Sequence, residues 1–473
     1  MPSPGRLPRK PQIPGGLLDG LIFSVSGARG IVGRGLDPVR LAGMAAHFGA
    51  FLGSGTVVVG RDSRVSGEMC LRAVASGLMA AGNDVTDLGI VSTPTVEVAV
   101  RELGAVGGVQ ISASHNPADW NALKFLSSRG IFLTASEGAD LGRRIDSGDP
   151  PWADWDGIGS FEFRDEFTAR HVDRILESPL VDVDAIRGRG FRVVVDCVHG
   201  AGGEIAALLL ARLGVEASFL YAEPTGRFPR NPEPVPENLT ELAAAVADRG
   251  ADAGFALDPD ADRVAAVDET GRPIGEEVTL AVVVDSVLPR VRGDVVVNVS
   301  TTMAIEEVAA RHGRGVLRTP VGEVHVTEKM LETGSQIGGE GNGGVIAPSV
   351  NPGRDGLLGI ALLLDALTRA GAPLSALAGR IPATVMKKAK IDADGVDVDQ
   401  ALSALGRAFP DARTDTTDGL KLVFEDEWVH LRKSNTEPIL RLLAEARTED
   451  LVEALVRRTR EIVEGVRPSS SGS

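Results

Sequence analysis

Hydrophobic positions along this chain recur in two alternating rhythms. Short β-branched runs over residues 56–59, 85–88, 191–196 and 294–299 read as buried strands, and stretches with helical spacing follow over 67–81, 165–178 and 304–312. A strand, turn, helix, strand order implies mixed or parallel α/β sheets. It occurs three times, which places α/β domains at 17–157, 158–272 and 273–381. After an apolar helix over 357–370 the pattern changes to alternating strands at 420–424, 428–431 and 439–443. The expected fold is therefore α/β: three similar mixed-sheet domains and a smaller C-terminal α+β domain at 382–467.

Composition adds bounds to this picture. At 473 residues the chain is too long for one core. A net charge of −16 argues against nucleic acid or an anionic membrane surface as the main partner. A phosphorylated ligand would also be repelled by the average field, so clustered arginines carry more information here than in a basic protein. Two cysteines, Cys70 and Cys197, cannot build a disulfide framework and sit in core-like contexts, which fits a reducing cytoplasm. Residues 17–23 are too short and too broken by Asp19 and Gly20 for a signal peptide, and the apolar run 357–364 stops at Asp365, as in a buried helix. Residues 1–16 and the Ser-Gly tail from Pro468 are expected to be disordered ends.

Candidate chemistry lies where strands break. After the strand ending at Ile111, the run Ser112-Ala113-Ser114-His115-Asn116-Pro117 predicts an exposed turn with a hydroxyl at its tip, and Lys124 is placed to ease deprotonation or steady a phosphate. In Asp258-Pro259-Asp260-Ala261-Asp262-Arg263, three carboxylates alternate around a proline that forbids helix. They would repel without a cation, and oxygen-only ligands favour Mg2+ over Zn2+. Glu340 and Asn342, on a backbone with glycine at 339, 341, 343 and 344, can hold adjacent sugar hydroxyls, and the glycines would leave room for sugar substituents. Arg432, Ser434, Asn435, Thr436 and Arg441 gather cations and hydroxyl donors suited to a phosphate dianion. Arg29 stands in a glycine turn, Arg61 and Asp62 read as a structural pair, and the glycines at 200–203 read as close helix–strand packing.

Together these motifs resemble the α-D-phosphohexomutases, from about residue 23 to about residue 445, and within them the archaeal-type phosphoglucosamine mutases. The resemblance implies that Ser114 carries a phosphoryl group and that Asp258, Asp260 and Asp262, with Ser114, hold Mg2+. It aims Arg29 and Arg263 at the phosphoryl group and assigns proton handling to His115 or Lys124. It makes 337–346 the sugar-recognition loop and 432–441 the phosphate-binding loop. The implied reaction converts hexose 6-phosphate to hexose 1-phosphate through a hexose 1,6-bisphosphate, which also serves as activator, in a monomer or homodimer. Glucosamine phosphate is the expected main substrate, with weak discrimination against glucose and mannose phosphates. A metal-dependent sugar phosphatase and a non-enzymatic sugar-phosphate binder are the alternatives; two opposed grips on one ligand argue against the first, and a nucleophilic serine beside a metal site against the second. Ser24 and Val25 stand where Gly and Thr are commoner, and many members carry Ser near Asn342 and His at Gly344, which removes any general acid or base from that loop.

Overall fold

The computed structural model describes residues 17–24, 27–392, 396–434 and 439–466. The first sheet has the order Ile22–Ser24, Gly27–Ile31, Trp120–Ser127, Gly107–Ile111, Thr56–Arg61, Asp84–Ile90, Phe161–Phe163. The second runs Val264–Asp268, Ala253–Leu257, Arg192–Asp196, Glu216–Leu220, and the third Val316–Thr319, Val295–Asn298, Gly338–Glu340, Gly344–Ile346. The fourth is fully antiparallel, from Val385–Asp392 through Ile439–Ala446, Glu427–Lys433 and Leu420–Val423 to Arg413–Asp415, and is covered by Val398–Ala408 and Glu449–Gly465.

One arrangement repeats in the first three sheets. A strand lies parallel to an inner neighbour and then turns back on itself as an antiparallel hairpin: Gly107–Ile111 with Trp120–Ser127, Ala253–Leu257 with Val264–Asp268, and Gly338–Glu340 with Gly344–Ile346. The three turns of these hairpins hold Ser114, the aspartates at 258–262, and Asn342. Strand ends of this kind are where an α/β sheet exposes polar backbone and side chains to a ligand.

The second and third sheets are not separated by solvent. One cluster of buried side chains runs from Val172 to Ile381, and Gly356–Ala370 lies inside it. That helix starts at Asp355, whose Oδ1 accepts from the Leu357 and Leu358 amides at 3.0 Å. Its Oδ2 lies 2.7 Å from His171 Nε2, and His171 Nδ1 lies 3.0 Å from Thr95 Oγ1, so one buried chain of contacts ties the first three units together.

Three expectations change on contact with the structure. The first sheet takes its edge strand Phe161–Phe163 from beyond residue 157, pairing in parallel with Asp84–Ile90. Asp62 pairs with Arg64 at 3.0 Å, whereas Arg61 reaches outward to Glu68 at 3.2 Å. The helix expected over 165–178 spans only Phe167–Leu176, because Pro179 stops it early. Among the described residues no helix is long and apolar enough to cross a membrane. Residues 1–16, Ser26, Asn435, Thr436 and 467–473 lie outside the described residues.

Candidate active site

The loop between Ile111 and Trp120 is held from behind. Arg64, only 1% exposed, donates to the Ser114 carbonyl at 2.5 Å, the Asn116 carbonyl at 2.7 Å, the Pro117 carbonyl at 2.6 Å and the Trp120 carbonyl at 3.1 Å. Asp62 anchors that guanidinium and accepts from Ser112 Oγ at 2.7 Å, while the Ser114 amide donates to Ser112 Oγ at 2.9 Å. Ser114 has φ +48°, a left-handed conformation that costs energy for a residue with a Cβ and persists only where the surroundings impose it. The expected exposed turn is in fact covered: Ser114 is 3% exposed because the second sheet closes over it.

That cover is the aspartate turn. Ser114 Oγ donates to Asp258 Oδ2 at 2.6 Å. Carboxylate oxygens of Asp258, Asp260 and Asp262, all fully buried, lie within 4.8 Å of one another. Lys124 Nζ is 2.5 Å from Asp260 and 3.6 Å from Asp262, Arg354 is 2.7 Å from Asp262, and Thr93 Oγ1 donates to Asp260. Burial, then repulsion from Asp262 and Asp260, pushes the Asp258 carboxyl well above its usual range. Burial opposes ionisation of Asp262 too, but Arg354, Lys124 and Arg263 outweigh it and hold that carboxyl low. Asp260 Oδ1 and Asp262 Oδ1 are buried without a hydrogen-bond donor, with Arg263 Nε 3.5 Å from Asp262 Oδ1. These two carboxylate oxygens beside a third carboxylate and a serine oxygen make an all-oxygen donor set that fits Mg2+.

The two candidates for proton handling separate clearly. Burial lowers the Lys124 pKa, but Asp260 and Asp262 more than compensate, so its ammonium stays charged. His115 Nδ1 lies 3.4 Å from Ser114 Oγ; burial first, then Arg263, Arg29 and Arg441, hold the imidazole well below its usual value and neutral. Arg29, on Gly27–Ile31, donates to Asn116 Oδ1 at 3.0 Å, and Arg263 Nε stands 3.5 Å from Asp262.

Arg29, Ser114, His115, Lys124 and Arg263 line one cleft of about 410 Å³ together with Glu340, Asn342, Arg432, Ser434 and Arg441. Arg432 and Arg441 are directly opposite each other on neighbouring strands. Asp418 stands 3.8 Å from Arg432, and two guanidiniums side by side on the cleft wall are suited to receive a phosphate. Glu340 is already engaged: Arg354 Nη1 at 2.5 Å, Asn298 Nδ2 at 2.7 Å and the Gly322 amide at 3.1 Å hold both its oxygens. Asn342 Oδ1 accepts from the Gly344 amide at 3.2 Å.

The glycines of this loop do not leave open space, contrary to the sequence expectation. A Cβ at Gly341 would lie 2.0 Å from Glu277 Oε2, one at Gly343 2.3 Å from the Val264 carbonyl oxygen, and one at Gly344 2.1 Å from Arg354 Cδ. Arg354 thus fills the volume of a side chain at 344. It joins Asp262, Glu340 and, at 3.1 Å, Glu323, so one cation couples the aspartate turn to the glycine-rich loop. Sequence reading missed Arg64, Arg354 and Glu277. The signal for Arg354 was its place just ahead of the helix cap Asp355; nothing local marked the other two.

Comparison with known proteins agrees with this geometry. Residues 20–151, 169–271 and 276–385 match the models described as phosphoglucomutase/phosphomannomutase, alpha/beta/alpha domains I, II and III, and 385–462 match the C-terminal domain of the same set. The chain is 39% identical over 460 residues to a probable phosphoglucosamine mutase of Methanopyrus kandleri, covering 95% of this chain and 100% of the relative. It is 38% identical over 440 residues to a phosphoglucomutase/phosphomannomutase of Thermococcus kodakarensis, covering 91% and 96%. The crystal structure of a phosphoglucomutase/phosphomannomutase family protein from Burkholderia thailandensis superposes with a TM-score of 0.82 at 30% identity, over 95% of this chain and 98% of that one. With a serine poised on buried aspartates, paired arginines in the same cleft, and all four domains matched, this chain belongs to the phosphoglucomutase/phosphomannomutase family of phosphohexomutases.

Proposed function

We propose that Ser114 passes a phosphoryl group to and from a hexose monophosphate, with glucosamine phosphate as the cellular substrate. The observation that carries this reading is the Ser114 Oγ to Asp258 Oδ2 contact of 2.6 Å in a cleft that Arg432 and Arg441 also line. In the first half-reaction a sugar hydroxyl oxygen attacks the phosphorus on Ser114. The new O–P bond forms as the Ser114 Oγ–P bond breaks, the sugar proton goes to neutral His115, and the serine oxygen recovers a proton from it. The product is a hexose 1,6-bisphosphate. After it reorients, its other phosphoryl group returns to Ser114 by the reverse exchange.

Asp258, Asp260 and Asp262, with the Ser114 oxygen, would hold Mg2+, which supplies Lewis-acid stabilisation of phosphoryl charge. Arg29 and Arg263 add fixed positive charge beside Ser114, and Lys124 orients Asp260 and Asp262 through its contacts with both. Arg432, Ser434 and Arg441, with Asn435 and Thr436, hold the phosphate that is not reacting. Glu340 and Asn342 grip hydroxyls common to glucosamine, glucose and mannose phosphates. The relatives named as phosphoglucosamine mutases support the choice of amino sugar.

The test is intact-mass analysis together with a coupled mutase assay on glucosamine 6-phosphate. Wild-type protein should carry one phosphoryl group that moves to sugar, and Ser114→Ala should lose both the mass and the turnover while melting normally. Near-normal turnover by Ser114→Ala would end this reading.

A further inference from the structure

Glu277 is the second residue of the helix Glu276–Val287 and lines the cleft beside the sugar loop. Its Oε2 accepts from the Thr302 amide at 2.9 Å, which fixes the carboxylate where a side chain at Gly341 would otherwise be. The charged groups around it come from three elements: Glu276 on its own helix, Lys388 on Val385–Asp392 with Nζ 3.7 Å from Oε1, and Glu445 on Ile439–Ala446. Lys388 is committed elsewhere, since its Nζ lies 2.7 Å from Glu276.

Two of the acids that line the cleft, Glu277 and Glu340, are therefore unlike. Glu340 is neutralised by Arg354 and two further donors, so it can accept from a hydroxyl but has little charge left to offer a cation. Glu277 has one amide donor and, at 3.7 Å, a lysine that it shares with Glu276. Burial first, then Glu276 and Glu445, raise its carboxyl to about 8, with Lys388 and the Thr302 amide opposing. Such a group gains a compensating charge when an ammonium binds next to it, whereas a neutral hydroxyl offers only an ordinary hydrogen bond.

We propose that Glu277 is the specificity-determining residue of this cleft and takes the ammonium of a 2-amino sugar phosphate. This rests on the mutase reading and names the substrate feature that the loop distinguishes. The glycine at 341 is then required to admit the carboxylate, not to admit a bulkier sugar.

The test is kcat/KM for glucosamine 6-phosphate and glucose 6-phosphate, measured on wild type and Glu277→Gln, which keeps an acceptor for the Thr302 amide. Removing a charge-assisted contact should lower the amino-sugar value about tenfold or more and the glucose value less than about threefold. Equal falls on the two sugars, or no fall, would overturn the proposal. Glu340→Gln should depress both sugars together. Should Glu277→Gln not fold, Glu277→Asp retracts the carboxylate and should shift the ratio in the same direction; an unchanged ratio overturns the proposal. Calorimetric affinities of the two sugar phosphates decide the question separately from turnover: a wild type without mutase activity would defeat the mutase reading, while an amino-sugar preference lost in Glu277→Gln would still support this one.

Discussion

Arg64 touches four carbonyls of the Ser114 loop and is not among the residues lining the cleft. Its removal would leave Asp62 buried without its counter-ion and free the Ser114 backbone from a strained conformation. Breaking a buried pair from one side costs about 3–5 kcal/mol, so Arg64→Met should melt markedly lower and turn over poorly, whereas Arg64→Lys should keep part of the stability but not the forked grip. Thermal melts and kcat on the same preparations check this; wild-type kcat in a folded Arg64→Met would show that Ser114 needs no such brace. A second single-residue case is Gly344. An alanine there meets Arg354 Cδ at 2.1 Å, so Gly344→Ala should displace Arg354 and lower kcat/KM on every sugar, and normal kinetics would refute the filled-volume account. Ser114, the aspartates and the arginines of the last loop were legible in sequence because their types and spacing have few other uses. Arg64 and Glu277 were not, because each is an ordinary charged residue until a distant strand is brought against it.

At the level of elements, the alternation of strand and helix disclosed three α/β units, and the breaks after apolar runs disclosed the turns that meet at the candidate site. The edge strand Phe161–Phe163 left no such trace: it has three residues, all exposed, so burial imposed no alternation. What sequence could not give was the recurrence of the same hairpin, since register is set by pairing partners far along the chain. The aspartate hairpin carries its own prediction. Exhaustive chelation should abolish turnover and added Mg2+ restore it, and Asp260→Asn, which removes one ligand charge and a partner of Lys124, should raise the Mg2+ needed for half-maximal activity by about tenfold or more. Full activity in chelator would make the turn a structural device.

Over the whole molecule, the fourth unit is held to the third by individual polar contacts. Glu445 accepts from the Met303 amide at 2.7 Å and Trp428 Nε1 at 2.6 Å, Lys421 Nζ donates to the Val299 carbonyl at 2.6 Å, and His430 bridges Ser300 Oγ at 3.1 Å and the Asp418 carbonyl at 2.5 Å. Burial depresses the His430 pKa from 6.5 to about 4. The folded chain therefore binds fewer protons than the unfolded one between those values, and the stability this gives, complete above pH 6.5, should fall as pH drops towards 4. Hydrogen exchange across Glu427–Lys433 at pH 7.5 and pH 5 should show the loosening, and His430→Asn should reduce the difference; equal protection at both pH values would exclude His430 as its source. No comparable seam divides the second unit from the third, because the buried cluster from Val172 to Ile381 is common to both. In chimaeras between relatives, the C-terminal unit should thus transplant as a cassette whose fit is tuned by a few surface exchanges, while any crossover inside 172–381 would join halves of two differently shaped interiors.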